Sequence, residues 1–131
     1  MRISTRGRYS LEALLYMALL PAGEYSSTKA IAKAANISEG YLEQLFIPLR
    51  KAGIIRGIRG SRGGYVPGRE LNEITAGDIL RIAEAGLEPA EYASQEIWAE
   101  LYREISRCVD SITLADLVKA YLSMDQVEYA I

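Results

Sequence analysis

The segment 38–51 constrains the fold most, because its apolar residues repeat with the period of an α-helix. They recur at three- and four-residue steps and so share one face of that helix: Leu42, Leu45, Phe46 and Leu49. Ser38 is a typical N-cap for its start. A shorter predicted helix, 29–35, ends only a few residues earlier, and Asn36 suits the left-handed position after its end. Two helices joined by so short a connection predict a helix-turn-helix.

The opposite face of the helix over 38–51 is polar. It carries seven residues that are not needed in a core: Glu39, Gly40, Tyr41, Glu43, Gln44, Arg50 and Lys51. Glutamine, tyrosine and serine side chains can contact base edges in a major groove, and Gly40 would let the backbone approach a phosphate. Pro48 predicts a kink or a tightened last turn, because a proline inside a helix removes a hydrogen bond and costs ~3 kcal/mol. Gly53 is expected to end the helix.

The segment 54–67 is predicted to form a β-hairpin, because β-branched runs flank a turn rich in glycine and arginine. Arg56 lies in the first strand, and Arg59 and Arg62 lie at the tip. An exposed tip of this kind is typical of a wing that enters a minor groove or pairs with phosphates. A phosphate loop for a nucleotide is the rival interpretation. The segment lacks the order GxxxxGK[ST] and opens no helix, so the wing is favoured.

Charge is divided unevenly along the chain. Residues 1–69 carry 11 basic and four acidic residues, a net charge of +7, whereas residues 70–131 carry 4 basic and 13 acidic residues, a net charge of −9. Such an asymmetry indicates a surface for a polyanion in the first half. A solvated basic surface is the simpler alternative, but the arginines at the hairpin tip favour the polyanion.

The remainder of the chain is predicted to be helical. A largely buried first helix is expected over 5–20. Two capping boxes, 75–78 and 113–116, each open a helix. Between them Ser94 caps a longer helix with an apolar seam: Trp98, Leu101, Ile105, Cys108 and Ile112. The last helix has an apolar side that comprises Leu114, Leu117, Val118 and Tyr121.

This second half has more apolar surface than a tail of about 60 residues can bury alone. Dimerisation is therefore expected through Trp98, Leu101, Ile105, Leu114, Leu117 and Tyr121. A dimer also suits DNA binding, since the paired half-sites of a palindromic operator add affinity. The sequence thus predicts a mainly α fold with a small β-hairpin wing. A winged helix-turn-helix DNA-binding domain is expected over 1–69, and a helical dimerisation and regulatory region over 70–131.

The composition excludes several function classes. The chain has no histidine and one cysteine, Cys108, which argues against a nucleophile–base pair, an internal disulfide and a multi-cysteine metal site. We therefore expect no enzyme activity, no metal and no cofactor. The sequence shows neither a signal peptide nor an apolar run long enough to span a bilayer, so a cytoplasmic protein without membrane contact is expected.

Three segments carry a resemblance to a known family: MRISTRGRYSLEALLYMAL, ISEGYLEQLFIPLRKAGIIRGIRGSRGGYVPGR and EITAGDILRIAE. They are similar to the winged helix-turn-helix regulators of the IscR/CymR family, and the similarity covers essentially the whole chain. The resemblance implies a homodimeric DNA-binding transcriptional regulator. It places Tyr41, Glu43 and Gln44 at recognition-helix positions and Arg59 at the wing tip. The other expected DNA contacts are Arg2, Arg6, Arg8, Tyr9, Ser38, Arg56 and Arg62.

Cluster-binding members of this family carry three cysteines in the stretch that corresponds to residues 85–95, and this chain has none there. The resemblance therefore points to the cluster-free branch, that of CymR. It implies a repressor of cysteine and sulfur metabolism genes that acts with cysteine synthase, with Ile131 as the anchor for that partner. Cys108 is interpreted as a small buried residue, with a redox-sensing thiol as the alternative. An iron–sulfur or thiol sensor of the same fold and a protein-interaction module without DNA binding are the competing functions.

Overall fold

The computed structural model describes residues 2–60, 63–84 and 96–130. Its elements are α1 (Thr5–Ala18), α2 (Thr28–Ala35), α3 (Glu39–Lys51), β1 (Ile55–Ile58), β2 (Gly64–Pro67), α4 (Ala76–Ala83), α5 (Glu96–Asp110) and α6 (Leu114–Ala130). A short 3-10 turn, Leu71–Glu73, precedes α4. The predicted mainly α fold with a β-hairpin is confirmed. The predicted cap Ser94, the wing-tip residue Arg62 and the expected anchor Ile131 lie outside the described residues.

Serine residues start the first three helices. The Oγ atoms of Ser4, Ser27 and Ser38 each accept a hydrogen bond of 3.1 Å from a backbone N–H of the first turn. These caps satisfy N–H groups that otherwise have no partner at a helix start. Helix α1 begins at Thr5 as predicted but ends at Ala18 rather than at residue 20.

The end of α3 turns the chain sharply towards the wing. Gly53 adopts a left-handed φ of 76°, and the N–H of Ile54 donates to the carbonyl of Leu49 at 3.0 Å. This Schellman arrangement closes the helix, which confirms the predicted end at Gly53. Helix α3 continues through Pro48, and the tightening lies in the turn after it. Asn36 ends α2 with a left-handed φ of 58°, also as predicted.

The hydrophobic core forms around α3. The four residues of its predicted apolar stripe are all buried, and they pack with Leu14 of α1 and Ile31 of α2. Burial of one large apolar side chain contributes roughly 1.5–3 kcal/mol, so any rotation of α3 about its axis would be costly. The buried face therefore determines which residues of α3 face outward.

The wing is attached to this core by a third extended segment. Strands β1 and β2 pair antiparallel, and Ser26 forms an isolated bridge with Tyr65 of β2. The N–H of Tyr65 donates to the carbonyl of Ser26 at 2.9 Å. The Tyr65 ring meets the ring of Phe46 edge-on, with centroids 4.9 Å apart. The hairpin is thus fixed both to the segment before α2 and to α3.

Residues from the second half of the chain complete the same core. Ile74, Ile79 and Leu114 have no exposed surface and pack into the cluster around α3. The N–H of Leu114 donates to the carbonyl of Ile74 at 2.7 Å, which holds the start of α6 against the start of α4. The core therefore continues across the boundary predicted between residues 69 and 70. This also corrects the prediction for Leu114, which is buried within its own chain and offers no surface to a dimer.

Both predicted capping boxes are confirmed. Thr75 and Asp78 exchange hydrogen bonds of 3.0 Å at the start of α4. Thr113 and Asp116 do the same at the start of α6, at 3.0 and 3.1 Å. The backbone N–H of Thr113 donates to the carboxylate of Asp116 and lowers the pKa of Asp116. The cap is therefore formed by an ionised carboxylate at neutral pH.

Gly64→Ala is expected to destabilise the fold by about 1–3 kcal/mol, because a Cβ atom would collide with the backbone of Ser26. Gly40→Ala is the matched control, since a Cβ atom there meets open space. Alanine is the better helix former, so this control should raise the free energy of unfolding by about 0.5–1 kcal/mol. Urea unfolding followed by circular dichroism measures both changes. A Gly64→Ala variant as stable as the intact chain, or more stable, would contradict the tight contact between the wing and Ser26.

Candidate nucleic-acid interface

The outward face of α3 presents a row of exposed residues. They are Glu39, Gly40, Glu43, Gln44, Ile47, Arg50 and Lys51. Glu43 and Gln44, two of the predicted DNA contacts, are therefore accessible to a ligand. The predicted contact Ser38 begins this face, and its Oγ atom accepts a hydrogen bond from the N–H of Tyr41. Ser38 thus fixes the start of the helix that carries the other residues.

An aromatic pair joins the start of α1 to the start of α3. The rings of Tyr9 and Tyr41 meet edge-on with centroids 6.0 Å apart, and both side chains are half-buried against the core. The guanidinium group of Arg8 lies 4.7 Å from the centre of the Tyr9 ring. Arg2 and Arg6 are exposed beside this pair in sequence. The pair therefore fixes the arginine-rich end of α1 relative to the outward face of α3.

A groove lies between the N-terminus of α2, the last turn of α3 and the wing. It encloses about 450 Å³ and is lined by Thr28, Arg50, Arg59 and Tyr65, together with wing backbone. Arg59 is a predicted contact, whereas Arg50 comes from α3. Two arginines, one from the last turn of α3 and one from the wing, thus line one space, where they would attract an anionic group such as a phosphate.

The structure separates Arg56 from that groove. Arg56 is exposed on β1 and lines a second groove, which it shares with Arg69, Glu70 and the loop after α1. Neighbouring residues of a strand point to opposite faces of the sheet, and it is Gly57, the neighbour of Arg56 in β1, that lines the groove of Arg59. Arg62, the other predicted wing residue, lies outside the described residues. Of the two predicted wing arginines within the described residues, Arg59 lines the groove with Arg50 of the last turn of α3 and Arg56 does not.

The end of α4 holds the start of α1. The Glu84 carboxylate accepts a hydrogen bond of 2.6 Å from the backbone N–H of Ser4. Gly7 packs so closely beneath this carboxylate that a Cβ atom would collide with it. A negative charge is favourable here because the N-terminus of a helix carries partial positive charge. Glu84, which immediately precedes segment 85–95, therefore connects the arginine-rich start of α1 to the end of α4.

Helix α5 exposes the apolar seam predicted from the sequence. Trp98 is 47% exposed and Leu101 is 52% exposed, while Ile105 is half-buried. Tyr121 of α6 is exposed as well, whereas Leu117 packs partly against the core. The other sides of α5 carry the ion pairs Glu100–Arg103 and Glu104–Arg107. The single chain thus leaves an apolar face that these charged residues border.

Cys108 is exposed in the single chain, so the chain alone does not provide the burial predicted for it. The heptad-like spacing placed it correctly on the seam of α5. Within the described residues, however, Trp98, Leu101 and Cys108 of that seam remain exposed. Burial of Cys108 would therefore require a second molecule.

The comparison with known proteins identifies the family. A family model described as iron-dependent transcriptional regulator, Rrf2, matches residues 3–120. The chain belongs to the Rrf2 family. It is 42% identical to the HTH-type transcriptional regulator CymR of Bacillus subtilis, over 98% of this chain and 97% of that protein. This confirms the resemblance to the IscR/CymR family.

Solved structures of Rrf2-family relatives share the fold. The structure of B. subtilis CymR matches with a TM-score of 0.76, over 92% of this chain and 98% of that one. The structure of T. potens IscR matches with a TM-score of 0.77 at 38% identity, over 92% of this chain and 88% of that one. These relatives are regulators of transcription and not enzymes. The chain is accordingly a winged-helix, DNA-binding transcriptional regulator.

The residues present do not fit an iron–sulfur cluster, although the Rrf2 family is described as iron-dependent. Such clusters are held by several thiolates, in some cases together with histidine, and this chain has one cysteine and no histidine. Within residues 2–60, 63–84 and 96–130, no group of three or more potential ligands is placed to hold a metal. In the same ranges, no helix combines the length and the apolar composition needed to cross a membrane.

The sequence did not predict that three residues would belong to this candidate interface: Arg50, Glu84 and Ile47. Arg50 was assigned only to a polar face, because its position beside Arg59 depends on how the hairpin folds back. Glu84 contacts Ser4 across 80 residues of chain, and no local pattern signals that contact. Ile47 did carry a signal, since it is the one large apolar residue of α3 that falls outside the buried stripe.

Arg59→Ala and Gln44→Ala are expected to weaken DNA binding in different ways. The Arg59 variant should lose affinity for specific and random DNA alike and flatten the salt dependence by roughly one counterion per half-site, because a phosphate contact is lost. The Gln44 variant should lose ~1–3 kcal/mol on the specific site and little on random DNA, because a base contact is lost. Fluorescence anisotropy at several salt concentrations separates these effects. An unchanged salt slope for Arg59→Ala would show that the wing does not contact DNA.

Proposed function

We propose that this Rrf2-family chain is a homodimeric repressor of cysteine and sulfur metabolism genes that acts in the cytoplasm on a palindromic operator. The observation that carries the DNA-binding part is the exposed polar face of α3 beside the groove lined by Arg50 and Arg59. The target genes are inferred from CymR, which is described as the global cysteine regulator of B. subtilis. Identity of 42% over nearly the whole chain supports the same class of target genes here.

The dimer is supported by the apolar face of α5. Trp98 and Leu101 lie half in solvent in the single chain, and contiguous exposed apolar residues bordered by charges are typical of an interaction surface. A second copy of the chain would cover Trp98, Leu101, Ile105 and Cys108 with the same residues, because a twofold interface is self-complementary. Two copies would also present two α3 helices to the two halves of a palindrome.

Leu101→Asp is expected to produce monomers that bind the operator far more weakly, because an aspartate would be buried without a partner in the apolar interface. Arg103→Asp is the matched control. It introduces the same side chain two residues later on the charged side of α5 and should leave the dimer intact. Sedimentation velocity and DNA binding measure both variants. A dimeric Leu101→Asp variant with full DNA affinity would reject this interface.

Cysteine synthase is proposed as a partner on the basis of the CymR resemblance, with Ile131 as its anchor. The experiment that tests target genes and partner together selects genomic fragments bound by the chain, with and without added synthase. Promoters of cysteine uptake and synthesis genes should be enriched, and the synthase should tighten binding unless Ile131 is deleted. Enrichment of unrelated promoters would reject the sulfur assignment, and an inert synthase would reject the partnership. Neither result would affect the DNA-binding assignment.

A further inference from the structure

Ile47 is an apolar residue in the middle of the outward, polar face of α3. Its side chain is 47% exposed and does not belong to the core cluster around Leu42, Leu45, Phe46 and Leu49. It follows Gln44 by three residues and Glu43 by four, so the three side chains are neighbours on the helix surface. The side chain therefore stands beside the residues best placed to contact bases.

The position two turns earlier on the same line of α3 is Gly40. A Cβ atom at Gly40 would meet nothing within 4 Å, so no packing within the described chain requires a glycine there. This row of α3 therefore has no side chain at Gly40 and an exposed apolar side chain at Ile47. If α3 lay in the major groove of DNA, Gly40 would let the start of the helix approach one wall of that groove closely. Ile47 would then face the base pairs at its floor.

The major groove of DNA exposes one apolar group that an isoleucine side chain can contact. This is the C5-methyl group of thymine, which distinguishes an A·T pair from the other pairs by contact alone. Docking of a protein partner is disfavoured, because Ile47 stands among charged and polar residues rather than in a continuous apolar patch. Thymine is therefore the ligand whose chemistry fits this position.

We propose that Ile47 is a specificity-determining residue that packs against the methyl group of one thymine in each half-site of the operator. This inference rests on the proposed DNA-binding function and extends it to a base preference. Glu43 and Gln44 recognise base edges by hydrogen bonds, whereas Ile47 recognises a methyl group by excluding water from it. Loss of one buried methyl-sized contact corresponds to a roughly three- to fivefold loss of affinity per half-site.

The test uses duplexes selected by the intact chain from a random pool, in which each thymine is replaced in turn by deoxyuridine. Deoxyuridine preserves every hydrogen-bonding group and removes only the methyl group. The intact chain should lose about three- to fivefold in affinity at one position per half-site. Ile47→Ala should bind the thymine and deoxyuridine duplexes equally, whereas Ile47→Val should retain the discrimination. Gln44→Ala is the matched control: it should bind both duplexes more weakly but retain the intact chain's ratio of affinities between thymine and deoxyuridine.

The outcomes separate this inference from the proposed function. A chain that selects a specific duplex but tolerates deoxyuridine at every position would overturn the role of Ile47 alone. An Ile47→Ala variant with the same deoxyuridine penalty as the intact chain would overturn it too. A chain that selects no sequence at all would overturn the proposed function and the inference with it. Because Ile47 lies outside the core, each variant should keep the unfolding midpoint of the intact chain, which circular dichroism checks.

Discussion

Burial of the apolar stripe of α3 is the constraint on which the interface depends. Four large side chains are removed from water on one side of a single helix, and each contributes roughly 1.5–3 kcal/mol. Because this stripe fixes the rotation of α3 about its axis, it also determines that Glu43, Gln44 and Ile47 face outward. The same stripe positions the wing, because Tyr65 packs on Phe46.

The second half of the chain is structurally part of this unit even though its charge is opposite. Ile74 and Leu114 pack into the core around α3, and the Glu84 carboxylate accepts a hydrogen bond from the backbone N–H of Ser4 before α1. The shared core and this hydrogen bond make α4 and α6 part of the same unit that positions α1 and α3.

The elements defined by local patterns were predictable from the sequence. The Ser38 cap, the two capping boxes and the 42–49 stripe depend on residues three or four positions apart, and the structure confirms them. Contacts between distant residues were not predictable: Leu114 has the same spacing signal whether it packs on α1 or on a second chain. For Cys108 the periodicity gave the correct face of α5 but could not show whether that face is covered. Ile47 shows that an apolar residue outside the periodic stripe is itself informative.

The uneven charge distribution reconciles a net charge of −2 with binding to a polyanion. Electrostatic interactions in water decay over a Debye length of about 8–10 Å at physiological salt, so the local sign of charge near the phosphates matters more than the total. Basic side chains are concentrated on α1, the end of α3 and the wing, while α5 and α6 are predominantly acidic. The acidic helices would be repelled by DNA, which leaves the outward face of α3 as the surface that approaches it. On the proposed function, electrostatics would therefore set the orientation of the chain on DNA, and the residues of α3 would select the sequence.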